Sequence, residues 1–156
     1  MTSIAAAPDA TLIYAEILAP GRVAMGESLA FACYRNRLTI SSPDGQPLYH
    51  EAFTLAPDRR TPRGLGVLGS KGSAALGTLL VVTGAVRATP LLEGLLAALR
   101  AAGGVSAGAS LLPGGSGVGL KVLAPEVAPV RAALHAAWAE ARRQILGVEA
   151  PPLRKY

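Results

Sequence analysis

The tetrapeptide Ser42-Pro43-Asp44-Gly45 constrains this chain more than any other feature. Proline presets φ for the first corner of a turn, and Asp-Gly tolerates the positive φ that closes it. The flanking runs Arg37–Ile40 and Pro47–Leu55 therefore read as an antiparallel hairpin, because so short a connection permits no crossover. Upstream, Leu29 to Ile40 begins as an apolar strand and then alternates with polar positions, with Asn36 as a bend. Thr11 to Ala19, TLIYAEILA, has no clean period of two, is rich in branched and aromatic residues, and closes at Pro20-Gly21. That pattern predicts a strand buried on most sides. Downstream, Leu76 to Thr83 reads as a strand covered on both faces. Val105–Leu112 and Val118–Leu123 flank the flexible turn Pro113-Gly114-Gly115-Ser116-Gly117 as a second hairpin.

Two segments carry helical periodicity instead. Thr89 as N-cap and Pro90 as first helical residue open a helix that stops at Gly103-Gly104. Leu91, Leu92, Leu95, Leu96 and Leu99 repeat at three and four along it, leaving Glu93 and Arg100 outward. A second helix runs from Pro125 or Pro129 to Leu146 and closes at Gly147, with Val127, Val130, Leu134, Trp138, Ala141 and Ile145 as its buried stripe. The fold class is therefore α+β, mostly antiparallel strands with two helices in the C-terminal half. With 156 residues of which 51% are hydrophobic, one domain over 1–156 is expected. Ala56 to Ser73, dense in Pro, Gly and charge, reads as a flexible loop. The longest apolar stretch, Ala74 to Val82, falls short of the ~18 residues that indicate a membrane span. Met1 to Ala10 carry neither a basic n-region nor an apolar core, so a cytoplasmic protein is expected.

The chemistry-bearing residues are few. A single cysteine, Cys33, excludes an internal disulfide and a paired-thiolate zinc site, and its apolar strand context predicts a small buried hydrophobe. His50 and Glu51 are adjacent in a strand and so point to opposite faces; His50 reads as a surface or partner-facing residue, and His135, beside the helix stripe, as a packed or surface one. Gly64-Leu65-Gly66-Val67-Leu68-Gly69 spells GxGxxG, followed by Lys71. It lacks the preceding strand and following helix that place backbone amides on a pyrophosphate, so it reads as a glycine-rich loop. No nucleophile–base–acid constellation is recognisable. The net charge of +5 raises the question of an acidic partner, yet the basic residues lack the interleaved aromatics that stack on bases. A solvated surface or a rim meeting an acidic protein fits better, and neither nucleic acid nor a membrane is the expected partner.

Two carboxylates stand out. Glu16 interrupts the apolar run Leu12 to Leu18, and Glu27 follows Pro20-Gly21-Arg22 and Gly26. A carboxylate in a buried strand must be paired, hydrogen-bonded, bound to a cation or open to water. Arg22 is the obvious ion-pair partner for either one.

The segment Leu12 to Glu27, with Gly21-Arg22-Val23-Ala24-Met25-Gly26-Glu27 at its end, resembles the Gly-Arg-x-x-x-Gly-Glu region of the urease accessory protein D family, UreD, called UreH in some organisms. Arg37-Leu38-Thr39-Ile40 with Pro47-Leu48 and Glu51 is similar to that family's following hairpin, Gly108-Ala109-Ser110 to its later strands, and Trp138, Arg142 and the closing Arg154-Lys155-Tyr156 to its ending. The family's N-terminal portion, with a Gly-Gly-Asp motif, is not matched, so the chain looks like the C-terminal part of a larger β-helix-like stack. The resemblance implies a non-enzymatic urease maturation factor that works with accessory F, the accessory G GTPase and apo-urease subunits, and with a separate N-terminal UreD fragment as a further partner. It implies Ni²⁺ in transit rather than a tightly bound cofactor, with Glu16, Glu27 and Glu51 matching acidic positions of the passage. Gly21, Arg22 and Gly26 then form a structural motif, while Trp138, Arg142, Arg154, Lys155 and Tyr156 face partners. The rival readings are a basic module binding RNA or an acidic protein, and a remnant without independent function.

Overall fold

The computed structural model describes residues 1–19, 21, 25, 27, 30–56 and 75–151. Among them lie strands β1 (Thr2–Ala5), β2 (Leu12–Leu18), β3 (Tyr34–Ser41), β4 (Pro47–Leu55), β5 (Ala75–Val82), β6 (Ser106–Leu111) and β7 (Gly117–Ala124), with helices α1 (Ala88–Ala102) and α2 (Val127–Leu146). This is the expected α+β class. The strands form one sheet in the order β1-β3-β4 and another in the order β2-β5-β7-β6. Every pairing is antiparallel except β1 with β3, and β1 has no counterpart in the sequence expectations. Both expected hairpins form, β3–β4 around Pro43-Asp44 and β6–β7 around a 3₁₀ turn at Pro113–Gly115.

Three layers follow from strand alternation. One face of the four-stranded sheet carries Leu79, Val81, Val118, Leu120 and Val122 against Leu91, Leu95 and Leu99 of α1 and Val130 and Leu134 of α2. Its other face carries Leu80 and Val82, which pack with Leu38 and Ile40 of the three-stranded sheet. Strand β5 lies inside both layers, and seven of its eight residues are buried. The helix layer approaches it closely at Gly77. A Cβ there would lie 2.5 Å from Val130 Cγ1 and 2.9 Å from Leu134 Cδ1.

Several details differ from the sequence expectations. Among the described residues strand β2 lies at the edge of its sheet and is of intermediate burial, rather than enclosed on most sides. It lacks a period of two because both faces touch apolar neighbours: Leu12 and Tyr14 pack with the inter-sheet cluster, Ile13 and Ile17 with the helix layer. Helix α1 starts at Ala88 with Arg87 as N-cap, not Thr89, and α2 starts at Val127 with Glu126 as N-cap, between the two expected starts. Pro90 and Pro129 each sit third in their helix, which is tolerated because the first-turn N–H groups have no intrahelical acceptor. Val127 is exposed, and Ala133 and Ala137 complete the buried stripe of α2 instead. Cys33 precedes β3 and is exposed, because the strand begins only at Tyr34. The Ala56–Ser73 loop and its GxGxxG lie, apart from Ala56, outside the described residues.

Candidate functional site

The inter-sheet space is apolar at one end and polar at the other, and register explains why. In the four-stranded sheet Glu16 pairs with Thr78 and Thr78 with Lys121, so three polar side chains form one transverse rank. Because side chains alternate along a strand, Tyr14 and Glu16 share the face that meets the three-stranded sheet. From that opposite sheet Tyr34, Asn36, Tyr49 and Glu51 complete the polar end, while Leu38 and Ile40 continue into the apolar end.

Among the described residues Glu16 and Glu51 each meet two donors. The Tyr14 hydroxyl donates to Glu16 Oε2 at 2.7 Å, and Asn36 Nδ2 donates across the sheets to Glu16 Oε1 at 2.9 Å. The Tyr49 hydroxyl donates to Glu51 Oε2 at 3.1 Å, while Lys121 Nζ forms an ion pair with Glu51 Oε1 across the sheets. Lys121 Nζ also donates to Thr78 Oγ1 at 3.1 Å. Thr78 is 1% exposed, and the Glu51 side chain 17%, against 40% for Lys121. The ammonium therefore bridges interior and solvent.

The tyrosines register the negative charge. Burial, the hydrogen bond to Glu16 and the charge of Glu16 push Tyr14 up to about 12. Tyr49 is pushed above the ordinary phenol range by burial, by the charge of Glu51 and by its hydrogen bond. Tyr34 rises through burial and the charges of Glu16 and Glu51. All three therefore stay protonated near neutrality, as hydroxyl donors beside carboxylates.

The structure thus brings Glu16 and Glu51 into one interior space and does not place all three expected acidic residues in a closed metal group. Among the described residues no three His, Cys, Asp or Glu side chains converge to hold an ion. Glu27 is half-buried on the segment between β2 and β3. Its backbone carbonyl stands where a Cβ of Gly21 (φ +126) would fall, so only glycine fits there. Arg22 and Gly26 lie outside the described residues, as do Arg154, Lys155 and Tyr156. Glu16 meets Tyr14 and Asn36, while its expected partner Arg22 lies outside the described residues.

Trp138 and Arg142 do meet, one helical turn apart on α2, with the guanidinium carbon 5.2 Å from the indole centroid. His135 also lies beside this indole, at 5.4 Å between ring centroids. His50 is exposed on the outer face of its sheet, where its Nδ1 is 3.0 Å from Thr39 Oγ1, while its neighbour Glu51 points inward as alternation requires.

Lys121, Tyr14, Asn36, Tyr49 and Thr78 were not singled out from the sequence. Lys121 had a usable signal: it is the lone charge in the apolar strand Gly117–Ala124, the same anomaly that marks Glu16. The others depend on which strands face each other across the sandwich, which is not written in any local window.

The family model for the UreD urease accessory protein matches residues 1–156. The chain is 37% identical over 154 residues to a urease accessory protein UreD of Haloarcula marismortui, an alignment covering 99% of this chain and 50% of that relative. It is 34% identical over 152 residues to urease accessory protein UreD 2 of Brucella suis, covering 96% and 50%. A UreD of Photorhabdus laumondii is 32% identical over 152 residues, covering 96% and 47%. The chain therefore spans about half the length of the curated relatives it matches and corresponds to their C-terminal part.

Proposed function

Because the chain belongs to the UreD urease accessory protein family, we propose that it serves urease maturation as a non-catalytic cytoplasmic scaffold that passes Ni²⁺ onward without retaining it. Its partners in this reading are accessory F, the accessory G GTPase and apo-urease, and residues 1–156 act as one domain. The observation that carries the nickel reading is the inward placement of Glu16 and Glu51 from facing sheets. Their oxygens are engaged by two phenols, an amide and an ammonium, all of which can exchange for water or a cation. Carboxylate oxygens without imidazole or thiolate companions hold Ni²⁺ weakly, which suits an ion in transit better than a stored one. Glu27 is a further carboxylate of the same passage in this reading.

Helix α2 supports the partner reading, since one side of it is packed and the other is free. Trp138 with Arg142, and the terminal Arg154, Lys155 and Tyr156, form the surface offered to accessory F. The test of the passage is Glu16→Gln with Glu51→Gln, two near-isosteric changes, assayed in the complex with apo-urease and both accessory proteins. The expected result is an assembled complex in which nickel loading and urease activation fall. Unchanged activation by a folded, complex-forming double variant refutes the passage.

A further inference from the structure

The transverse rank across the four-stranded sheet does not stop at Lys121. Glu16 pairs with Thr78, Thr78 with Lys121, and Lys121 with Gly108 of β6. Directly opposed residues on antiparallel strands present their side chains to the same face. The position beside the lysine on the inter-sheet face therefore holds no side chain. A hollow of about 390 Å³ opens there, lined by Tyr49, Leu80, Gly108, Ser110, Gly119 and Lys121. A Cβ at Gly108 would meet nothing within 4 Å, whereas one at Gly119 would lie 3.1 Å from Leu80 Cδ2. Gly108 is not among the glycines with positive φ, so what it leaves beside Lys121 is room rather than a special backbone turn.

The two carboxylates differ in the kind of partner they meet. Among the described residues Glu16 meets neutral donors, the Tyr14 phenol and the Asn36 amide, while Glu51 meets a full cation. An ammonium carries three donors, and that of Lys121 gives one to Glu51 and one to Thr78 Oγ1 at 3.1 Å. The Lys121 side chain is 40% exposed against 17% for Glu51, so it can withdraw from the carboxylate without the two sheets parting. Lysine also suits such a movement chemically: it is a compact, strongly hydrated charge on a flexible stem, whereas a guanidinium would clamp a carboxylate with two parallel hydrogen bonds.

The geometry points to Lys121 as an exchangeable counter-ion of the passage. It neutralises Glu51 when the passage is empty, swings over Gly108 when a divalent cation takes the carboxylate, and competes for Glu51 again so that the cation moves on. The inference rests on the reading of Glu16 and Glu51 as a nickel passage and adds the group that keeps residence there short.

The experiment titrates the full chain with nickel sulfate by calorimetry at fixed pH and ionic strength, and follows release of bound Ni²⁺ to an excess of chelator. Lys121→Met is expected to tighten binding by about fivefold, the upper end of what a part-exposed ion pair is worth, and to slow release by a similar factor. Gly108→Val fills the hollow without removing any contact of the ion pair, and is expected to weaken binding. Adding Lys121→Met to Glu51→Gln should give no tightening, because the competition is for that carboxylate. Glu51→Gln with unchanged Ni²⁺ binding refutes the passage itself, and this inference with it. Glu51→Gln that weakens binding, while Lys121→Met fails to tighten it, overturns the counter-ion alone. Equal tightening by Arg37→Gln, at an exposed position on the outer face of the other sheet, marks an effect of net charge and also overturns it. If Lys121→Met does not fold, Gly108→Val decides, and unchanged or tighter binding by that variant overturns the proposal. So does an absence of Ni²⁺ binding by both the native chain and Lys121→Met.

Discussion

Replacing Gly77 by alanine tests the seating of α2 on the central strand. The new Cβ would lie 2.5 Å from Val130 Cγ1, 2.9 Å from Leu134 Cδ1 and 3.2 Å from Leu134 Cγ. Ordinary contact begins near 3.4 Å, so the overlap with Val130 approaches 1 Å. Val130 is 0% exposed and Leu134 5%, so neither can swing into solvent to relieve it. Gly77 is not among the glycines with positive φ, and the substitution therefore probes packing rather than backbone strain. Overpacking a well-filled core costs about 1–3 kcal/mol, which for a chain of this size lowers Tm by roughly 3–10 °C. Urea unfolding followed by Trp138 fluorescence measures the loss and reports on α2 directly. Val130→Ala makes room for the added methyl, so Gly77→Ala with Val130→Ala should be less destabilised than the sum of the single variants by about 1 kcal/mol. A neutral Gly77→Ala, or strict additivity in the double variant, refutes the claim that this glycine sets the helix–sheet distance.

Two further outcomes follow from the polar rank. Tyr14 ionises near 12 and Tyr49 and Tyr34 above the ordinary phenol value, so spectroscopic titration should show delayed tyrosinate formation that Glu16→Gln brings forward for Tyr14. Since these pKa values are raised in the fold, their contribution to stability is complete below about pH 10 and is lost as pH rises towards 12. Lys121→Met leaves Glu51, among the described residues, with Tyr49 alone and should cost about 1–3 kcal/mol by urea unfolding. Adding Glu51→Gln should recover part of that loss, with a coupling near 1 kcal/mol or less, because the lysine is 40% exposed.

The parts of the fold that were legible in the sequence are those set by adjacent residues. Pro43-Asp44-Gly45 announced the β3–β4 hairpin and Pro113 to Gly117 the β6–β7 hairpin, and Gly103 and Gly147 end the two helices where expected. The helix starts were read too simply, because a first-turn proline fits anywhere that its missing N–H goes unused. Strand β1 escaped because four residues that pair in parallel with a distant strand leave no local pattern. In the site, Glu16 was visible as a charge among aliphatics, whereas its partners Tyr14 and Asn36 have ordinary contexts. Asn36 passed for a bend because only the stacking of one sheet on the other turns its amide towards Glu16.

Gly77 and Thr78 are consecutive, yet one must lie beneath Val130 and the other beside Lys121. Their order fixes the phase of β5 against both of its coverings at once. Slipping the strand by one residue would drive the threonine side chain into α2 and leave Lys121 above a glycine. Insertions and deletions in Ala75–Val82 are thus intolerable in either direction, whereas the connection through Pro113–Gly115 can change length without disturbing that phase.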